Sequence, residues 1–144
     1  MYHQPDLKLN EMTKINTYLT FNGNCREAMG FYRACFGGTL RFQTVGESPG
    51  TDQLPEHMKR VILQGTLVND QIILVGSDMV SEQGLVTGNS VSLMLRCSNE
   101  DELKSYYEKL LSGGREIQPP ENTYRGSLFG VLQDRYGHQW LLSC

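Results

Sequence analysis

The chain has 144 residues and a formal net charge of −3, enough for one domain with a buried core. It contains no basic run or basic face, which argues against a nucleic-acid partner. No apolar stretch approaches the roughly 20 residues needed to cross a bilayer, which argues against a membrane span.

Residues 1–14 are polar and lack the apolar h-region of a secretory signal. They read as a flexible tail, with Met12 an alternative start, ahead of a single domain over 15–144. Residues 15–21 read as a first strand. Leu19 and Phe21 turn toward a helix, and Asn16, Tyr18 and Thr20 turn the other way, because side chains alternate across a strand. Asn24 is a good helix N-cap, and Glu27 three residues on completes a capping-box pattern. A helix over 25–36 ends at Gly37-Gly38, since glycine takes positive φ at a C-cap without a Cβ clash. Residues 39–45 form the second strand. Residues 46–57 hold two prolines and two glycines and read as a long loop of the kind used as a lid or binding segment. Residues 59–68 and 71–75 make a hairpin through Asn69-Asp70. Residues 76–89 are irregular and lead to a strand over 90–97 and a helix over 100–111, capped by Ser98 or Asn99. A short strand over 115–118 stops at Pro119-Pro120. The last hairpin joins 127–133 to 139–143 through a turn at 134–137, where Asp134 and Gly137 match type I turn preferences.

The second half repeats the first. The apolar stripe Ala28, Phe31, Tyr32, Cys35 returns 75 residues later as Leu103, Tyr106, Tyr107, Leu110, each with the i, i+3, i+4, i+7 spacing of a half-buried helix. The glycine pairs Gly37-Gly38 and Gly113-Gly114 lie 76 apart, as do Leu19 and Leu95. The fold class is therefore α+β, with β-α-β-β-β modules over 15–78 and 89–144. Each helix covers the convex face of a curved mixed sheet. The concave faces carry no helix, and two such sheets would enclose a cleft.

Four cysteines, Cys25, Cys35, Cys97 and Cys144, have no CxxC spacing and read as buried free thiols in a reducing cytoplasm. Three histidines occur and none is paired at metal-ligand spacing. No GxSxG element is present, and no Gly-rich turn precedes a helix as a dinucleotide or SAM site requires. Trp140 reads as a helix-packing residue.

The module order, with NGNCREAMGFYRACFGG in the first unit and FGVLQDRYGHQW in the last hairpin, resembles the vicinal oxygen chelate superfamily. That group contains glyoxalase I, extradiol dioxygenases and bleomycin-resistance proteins, and the closer likeness is to its PhnB-like branch. The resemblance covers residues 15–144. It implies the glyoxalase/bleomycin-resistance fold, a homodimer, and a cavity on the concave sheet face. In metal-using members, two histidines and two glutamates from the first and fourth strands of each module line that cavity. Carried onto this sequence, the first-strand positions fall on Asn16 and Ser92, which are 76 apart, and the last-strand position falls on Leu141. The remaining position falls in 76–78, where only Asp78 is acidic. Such a set donates poorly to a divalent ion, so no metal or other cofactor is expected, a divalent metal being the disfavoured alternative. The expected ligand-binding residues are Asn16, Tyr18, Thr20, Asp78, Ser92 and Leu141, with His57 near the cavity mouth and Phe129 beside the seventh strand. The resemblance implies a cytoplasmic, homodimeric binder of a small organic molecule. The alternatives are a lyase or dioxygenase with an incomplete metal site, or a fold that only dimerises. The methyltransferase label carried by some relatives finds no support in these residues.

Overall fold

The computed structural model describes residues 13–144, so nearly all of the tail expected over 1–14 lies outside the described residues. Two modules follow in order: β1 (Thr17–Thr20), α1 (Cys25–Phe36), β2 (Thr39–Thr44), β3 (Ile62–Val68) and β4 (Ile73–Ser77), then β5 (Ser92–Arg96), α3 (Glu100–Leu111), β6 (Arg115–Asn122), β7 (Leu128–Gln133) and β8 (Gln139–Ser143). Between β2 and β3 the expected loop contains a 3-10 turn, Val45–Glu47, and one short helix, α2 (Glu56–Lys59). Each module owns a four-stranded mixed sheet, ordered β1-β4-β3-β2 and β5-β8-β7-β6. In both, the first strand runs parallel to the last and the other pairings are antiparallel.

The helices form where the apolar stripe predicts. α1 buries Cys25, Ala28, Met29, Tyr32, Cys35 and Phe36, and α3 buries Leu103, Tyr107 and Leu110. Their starts differ. Asn99 caps α3, its side chain accepting from Glu102 N at 2.8 Å, while Glu102 accepts from Ser98 N at 3.0 Å. Asn24 makes no such bond on α1. Instead Asp78, just past β4, accepts from Gly23 N and Cys25 N at 2.9 Å each. A carboxylate at the positive end of a helix is favourable, and this one ties β4 to α1.

The glycine pairs close both helices for a reason visible twice. A Cβ on Gly38 would lie 2.6 Å from the Val68 carbonyl oxygen, and one on Gly114 would overlap the carbonyl oxygen of Gln133. Thr39 pairs with Val68 and Arg115 with Gln133. In each module the chain leaving the helix therefore crosses the end of the third strand at backbone contact distance, where only glycine fits.

β6 extends through Pro119-Pro120, where the sequence reading stopped it. The physical reason is position: β6 is an edge strand bonded only to β7, and an edge tolerates proline. Its register shifts between Glu116 and Gln118 and again before Glu121. Tyr107 Oη lies 3.1 Å from Glu116 Oε1 and from the Gln118 and Val131 carbonyls, so its one proton serves three acceptors at the irregularity.

The modules meet through their helix sides. α1 packs on β2, β3 and β4, α3 packs on β6, β7 and β8, and the two helices touch each other. Phe36 lies against Tyr106 and Trp140, and Phe21 lies edge-on to Tyr136 and His138. One continuous apolar core results. At its centre Asp134, only 3% exposed, accepts four hydrogen bonds. Tyr32 Oη donates at 2.6 Å and Trp140 Nε1 at 2.9 Å, and the backbone amides of Tyr136 and His138 donate at 2.9 and 3.0 Å. The carboxylate thus closes its own turn and joins α1 of one module to the last hairpin of the other. No described helix is long and apolar enough to cross a membrane.

Candidate functional site

With both helices and the core on one side, each sheet turns its other face away from them, although Val75, Ser77 and Val131 are buried on that face. On the first sheet, Tyr18 stands beside Val75, and Val75 beside Thr66; one row on, Thr20 stands beside Ser77. On the second sheet, Ser92 stands beside Gln139, Met94 beside Leu141, and Arg96 beside Ser143, with Phe129 on the far side of Ser143. Strands of one sheet make no broad contact with strands of the other within the chain. Tyr18 is 56% exposed and Met94 58% exposed, so the open faces are not closed over each other by the single chain.

The sequence-predicted residues distribute as follows. Asn16 is exposed just ahead of β1, and Tyr18 and Thr20 lie on the open face of the first sheet. Ser92, Leu141 and Phe129 share the open face of the second sheet. His57 is exposed on α2, in the connection from β2 to β3. That connection leaves the same end of the sheet as Thr20 and Ser77 but from the opposite edge strand. Asp78 stands apart from the others. Its carboxylate accepts from the amides of Gly23 and Cys25 at the start of α1.

The register also relocates one position. Met94 pairs with Leu141 and Tyr18 with Val75, so the counterpart of Leu141 in the first module is Val75, not a residue within 76–78. The spacing within the pairs is 57 (75−18) in the first module and 47 (141−94) in the second. The ten extra residues are absorbed in the first module by the long connection between β2 and β3. With this register, the four positions that the resemblance assigns to metal ligands become Asn16, Val75, Ser92 and Leu141. Among the described residues, no group of three His, Cys, Asp or Glu side chains could hold a metal ion.

Sequence reasoning also missed the segment that borders the site. Residues 79–86 run past the end of the first sheet and form with Thr20 an open groove of about 480 Å³. Met79, Leu85 and Val86 line it and are exposed. Four apolar residues within eight positions of an irregular stretch, Met79, Val80, Leu85 and Val86, were the available signal.

Buried titratable groups lie on the helix side instead. Burial, reinforced by the Asp78 charge and opposed by Arg26, pushes the Cys25 thiol up to about 12, which makes it a poor nucleophile. Burial and the neighbouring Asp134 carboxylate raise the Tyr32 phenol far above its ordinary range. Burial lowers the His138 imidazole, with Asp134 acting in the opposite direction.

Paired β-α-β-β-β modules with helices inside and open sheet faces outside define the glyoxalase/bleomycin-resistance class of fold. Comparison with known proteins narrows this. A family profile described as 3-demethylubiquinone-9 3-methyltransferase matches residues 13–143. The chain belongs to that family, the PhnB-like branch of the glyoxalase/bleomycin resistance/dioxygenase superfamily. It is similar to the crystal structure of protein PA1353 from Pseudomonas aeruginosa, with 31% identity, a TM-score of 0.77, and coverage of 92% of this chain and 98% of that one. It is also similar to a putative 3-demethylubiquinone-9 3-methyltransferase, PhnB protein, from Bacillus cereus, with 23% identity, a TM-score of 0.66, and 91% and 98% coverage. Among curated proteins it matches Protein YjdN of Escherichia coli (strain K12), 23% identical over 139 residues, 90% of this chain and 93% of that protein. Solved glyoxalase-related proteins share the fold at 14–20% identity.

Proposed function

We propose that this protein binds a small organic molecule on the open sheet faces, without a divalent metal, in a cavity completed by a second copy of the chain. The observation that carries the reading is the residue set Asn16, Val75, Ser92 and Leu141 at the family's ligand positions. One amide, one hydroxyl and two hydrocarbon side chains offer no imidazole or carboxylate to an ion. These residues do not fit a metal centre, and metal-polarised or metal-hydroxide chemistry has no foothold on them.

What the same faces do offer suits a partly apolar ligand. Tyr18, Met94 and Leu141 supply contact area, and Thr20, Ser92 and Gln139 supply hydrogen-bonding groups. Tyr18 and Met94 stay more than half exposed. Apolar surface of this kind on both sheets favours burial against a second copy. The bleomycin-resistance proteins of the superfamily that the sequence resembles are the precedent for binding without turnover. The family's methyltransferase description is not adopted, because no Gly-rich turn opens either long helix in the manner of a SAM site. The acidic composition and unpaired cysteines fit a cytoplasmic protein.

The test combines three measurements on the purified full chain. Light scattering should give a dimer. Elemental analysis should give substoichiometric zinc, nickel, manganese and iron, and no divalent ion should raise the melting temperature. A screen of small aromatic and antibiotic-like molecules should yield one that does. At 100 times its Kd such a ligand stabilises by about 2.7 kcal/mol, which moves Tm by roughly 5–10 °C in a domain of this size. A metal that survives purification at one per chain would overturn the metal-free reading.

A further inference from the structure

We infer that Cys97 and Cys144 form a reversible redox pair, in which a peroxide-class oxidant converts the two thiols to a disulfide joining β5 to the end of β8. The inference is independent of the proposed ligand site. It rests on the ladder between two parallel strands. Arg96 pairs with Ser143, so Cys97 and Cys144 are the next residues opposite each other, and opposite residues of a parallel pair point to the same side. The backbone holds both in place. Cys97 N donates to Ser143 O at 2.7 Å, and Cys144 exchanges two 3.1 Å hydrogen bonds with Leu128 on its other side. Neighbouring strands run about 4.8 Å apart, inside the roughly 4.4–6.8 Å Cα range that a disulfide spans. Contrary to the expectation of four buried thiols, Cys144 is exposed and Cys97 half-buried, and only Cys25 and Cys35 are buried.

The two thiols have unequal environments, which sets the order of events. Cys144 is open to solvent, whereas Cys97 packs against the core and its thiol is raised to about 11, chiefly by burial, with Glu102 and Cys144 adding to it. Cys144 reacts first. Its thiolate attacks one peroxide oxygen, the O–O bond breaks, the sulfur loses two electrons to become a sulfenic acid, and the other oxygen leaves as water or an alcohol. The Cys97 sulfur then attacks the Cys144 sulfur. The S–O bond breaks, and the hydroxyl leaves as water with the Cys97 proton. The sum is two thiols plus one hydroperoxide giving one disulfide, one water and one alcohol or second water. A thiol reductant reverses it. Cys25 and Cys35 stand apart from this pair, buried beneath α1.

The experiment is hydrogen peroxide titration of the reduced full chain, followed by alkylation after unfolding and peptide mass mapping. Cys97 and Cys144 are expected to lose alkylation together and appear as one linked pair two hydrogens lighter, restored by dithiothreitol, while Cys25 and Cys35 remain alkylatable. In C144S, loss of the Cys97 thiol should slow by about tenfold or more. In C97S, Cys144 should advance to sulfinic acid or link between chains. Should wild-type Cys144 overoxidise or cross-link between chains as fast as in C97S, with Cys97 still alkylatable, the pair does not exist. C144S changes an exposed side chain, so it reads out the pair even if C97S fails to fold.

Discussion

Replacing Asp134 with asparagine keeps the shape of the side chain and exchanges one carboxylate oxygen for an amide NH2. Oδ1 can keep the two turn amides of Tyr136 and His138. The group now facing Tyr32 and Trp140 is a donor. The Tyr32 hydroxyl can rotate and accept, but an indole N–H only donates, so Trp140 Nε1 is left buried against another donor. Two charge-assisted bonds at 2.6 and 2.9 Å are lost, and each is worth about 1.5–3 kcal/mol in a buried setting. Allowing for partial recovery at Tyr32, Asp134→Asn should cost about 3–4 kcal/mol, a large part of the roughly 5–15 kcal/mol that holds a domain folded. Trp140 is the single tryptophan, so urea unfolding followed by its fluorescence reports this seam directly, and the midpoint should fall by roughly 2 M. Tyr32→Phe alone should cost about 1.5–2 kcal/mol, and the double variant should show at least about 1 kcal/mol of coupling. A loss under about 1 kcal/mol for Asp134→Asn, or additivity within about 0.5 kcal/mol, would refute the role of this carboxylate as the tie between modules.

Three further outcomes follow from the same coordinates. His138 has its folded pKa below the ordinary 6.5, so on acidification the unfolded chain takes up a proton that the folded chain resists. Stability should therefore decline as pH falls from about 6.5 toward the folded pKa, by up to about 1.4 kcal/mol per unit, and should not depend on this group above about pH 7.5. Urea midpoints at pH 7.5 and 5.5 should converge more in His138→Gln than in wild type; an identical slope would exclude His138 as the cause. Asp78→Ala should cost about 1–2 kcal/mol through the uncapped start of α1 and leave the thermal shift produced by a bound ligand unchanged, whereas loss of that shift would return Asp78 to the binding surface. Two glycines should respond with opposite signs in urea unfolding. Gly114→Ala meets the immovable Gln133 carbonyl and should cost about 1–3 kcal/mol, while Gly30→Ala, exposed in mid-helix with no atom within 4 Å, should gain about 0.5–1 kcal/mol.

What the sequence discloses and what it hides divide along a physical line. Helix stripes, strand alternation and the glycine pairs are local patterns, so both modules and the outward turn of Tyr18 and Thr20 could be read directly. The miss at Pro119-Pro120 came from treating proline as a strand breaker, when the strand's edge position, a tertiary fact, decides. Asp134 looked like an ordinary turn residue because its two amide contacts are local. Its bonds to Tyr32 and Trp140 depend on how the modules dock, and no spacing rule encodes that. Asp78 stood in for Val75 in the sequence reading, an offset of three residues (78−75) that changes an acidic site into an apolar one. The pairing of Cys97 with Cys144 needs the register of two strands 47 residues apart in sequence (144−97).

The internal repeat also separates scaffold from site. Where both copies answer to the same backbone constraint, they carry the same residue, as at Gly38 and Gly114 beside a carbonyl. On the open faces most equivalent positions differ: Asn16 and Ser92, Tyr18 and Met94, Thr20 and Arg96, Val75 and Leu141, with Ser77 and Ser143 the shared pair. In the proposed dimer, a cavity joining the first module of one chain to the second module of its partner would have unlike walls, and the dimer would contain two identical copies of it. Each side chain then contributes to each cavity once. Tyr18→Ala should lower ligand affinity about 5–30-fold, the effect of removing one aromatic contact worth about 1–2 kcal/mol, with stoichiometry staying at one ligand per chain in a calorimetric titration. A halved stoichiometry with unchanged affinity would mean that the two walls are not shared in this way.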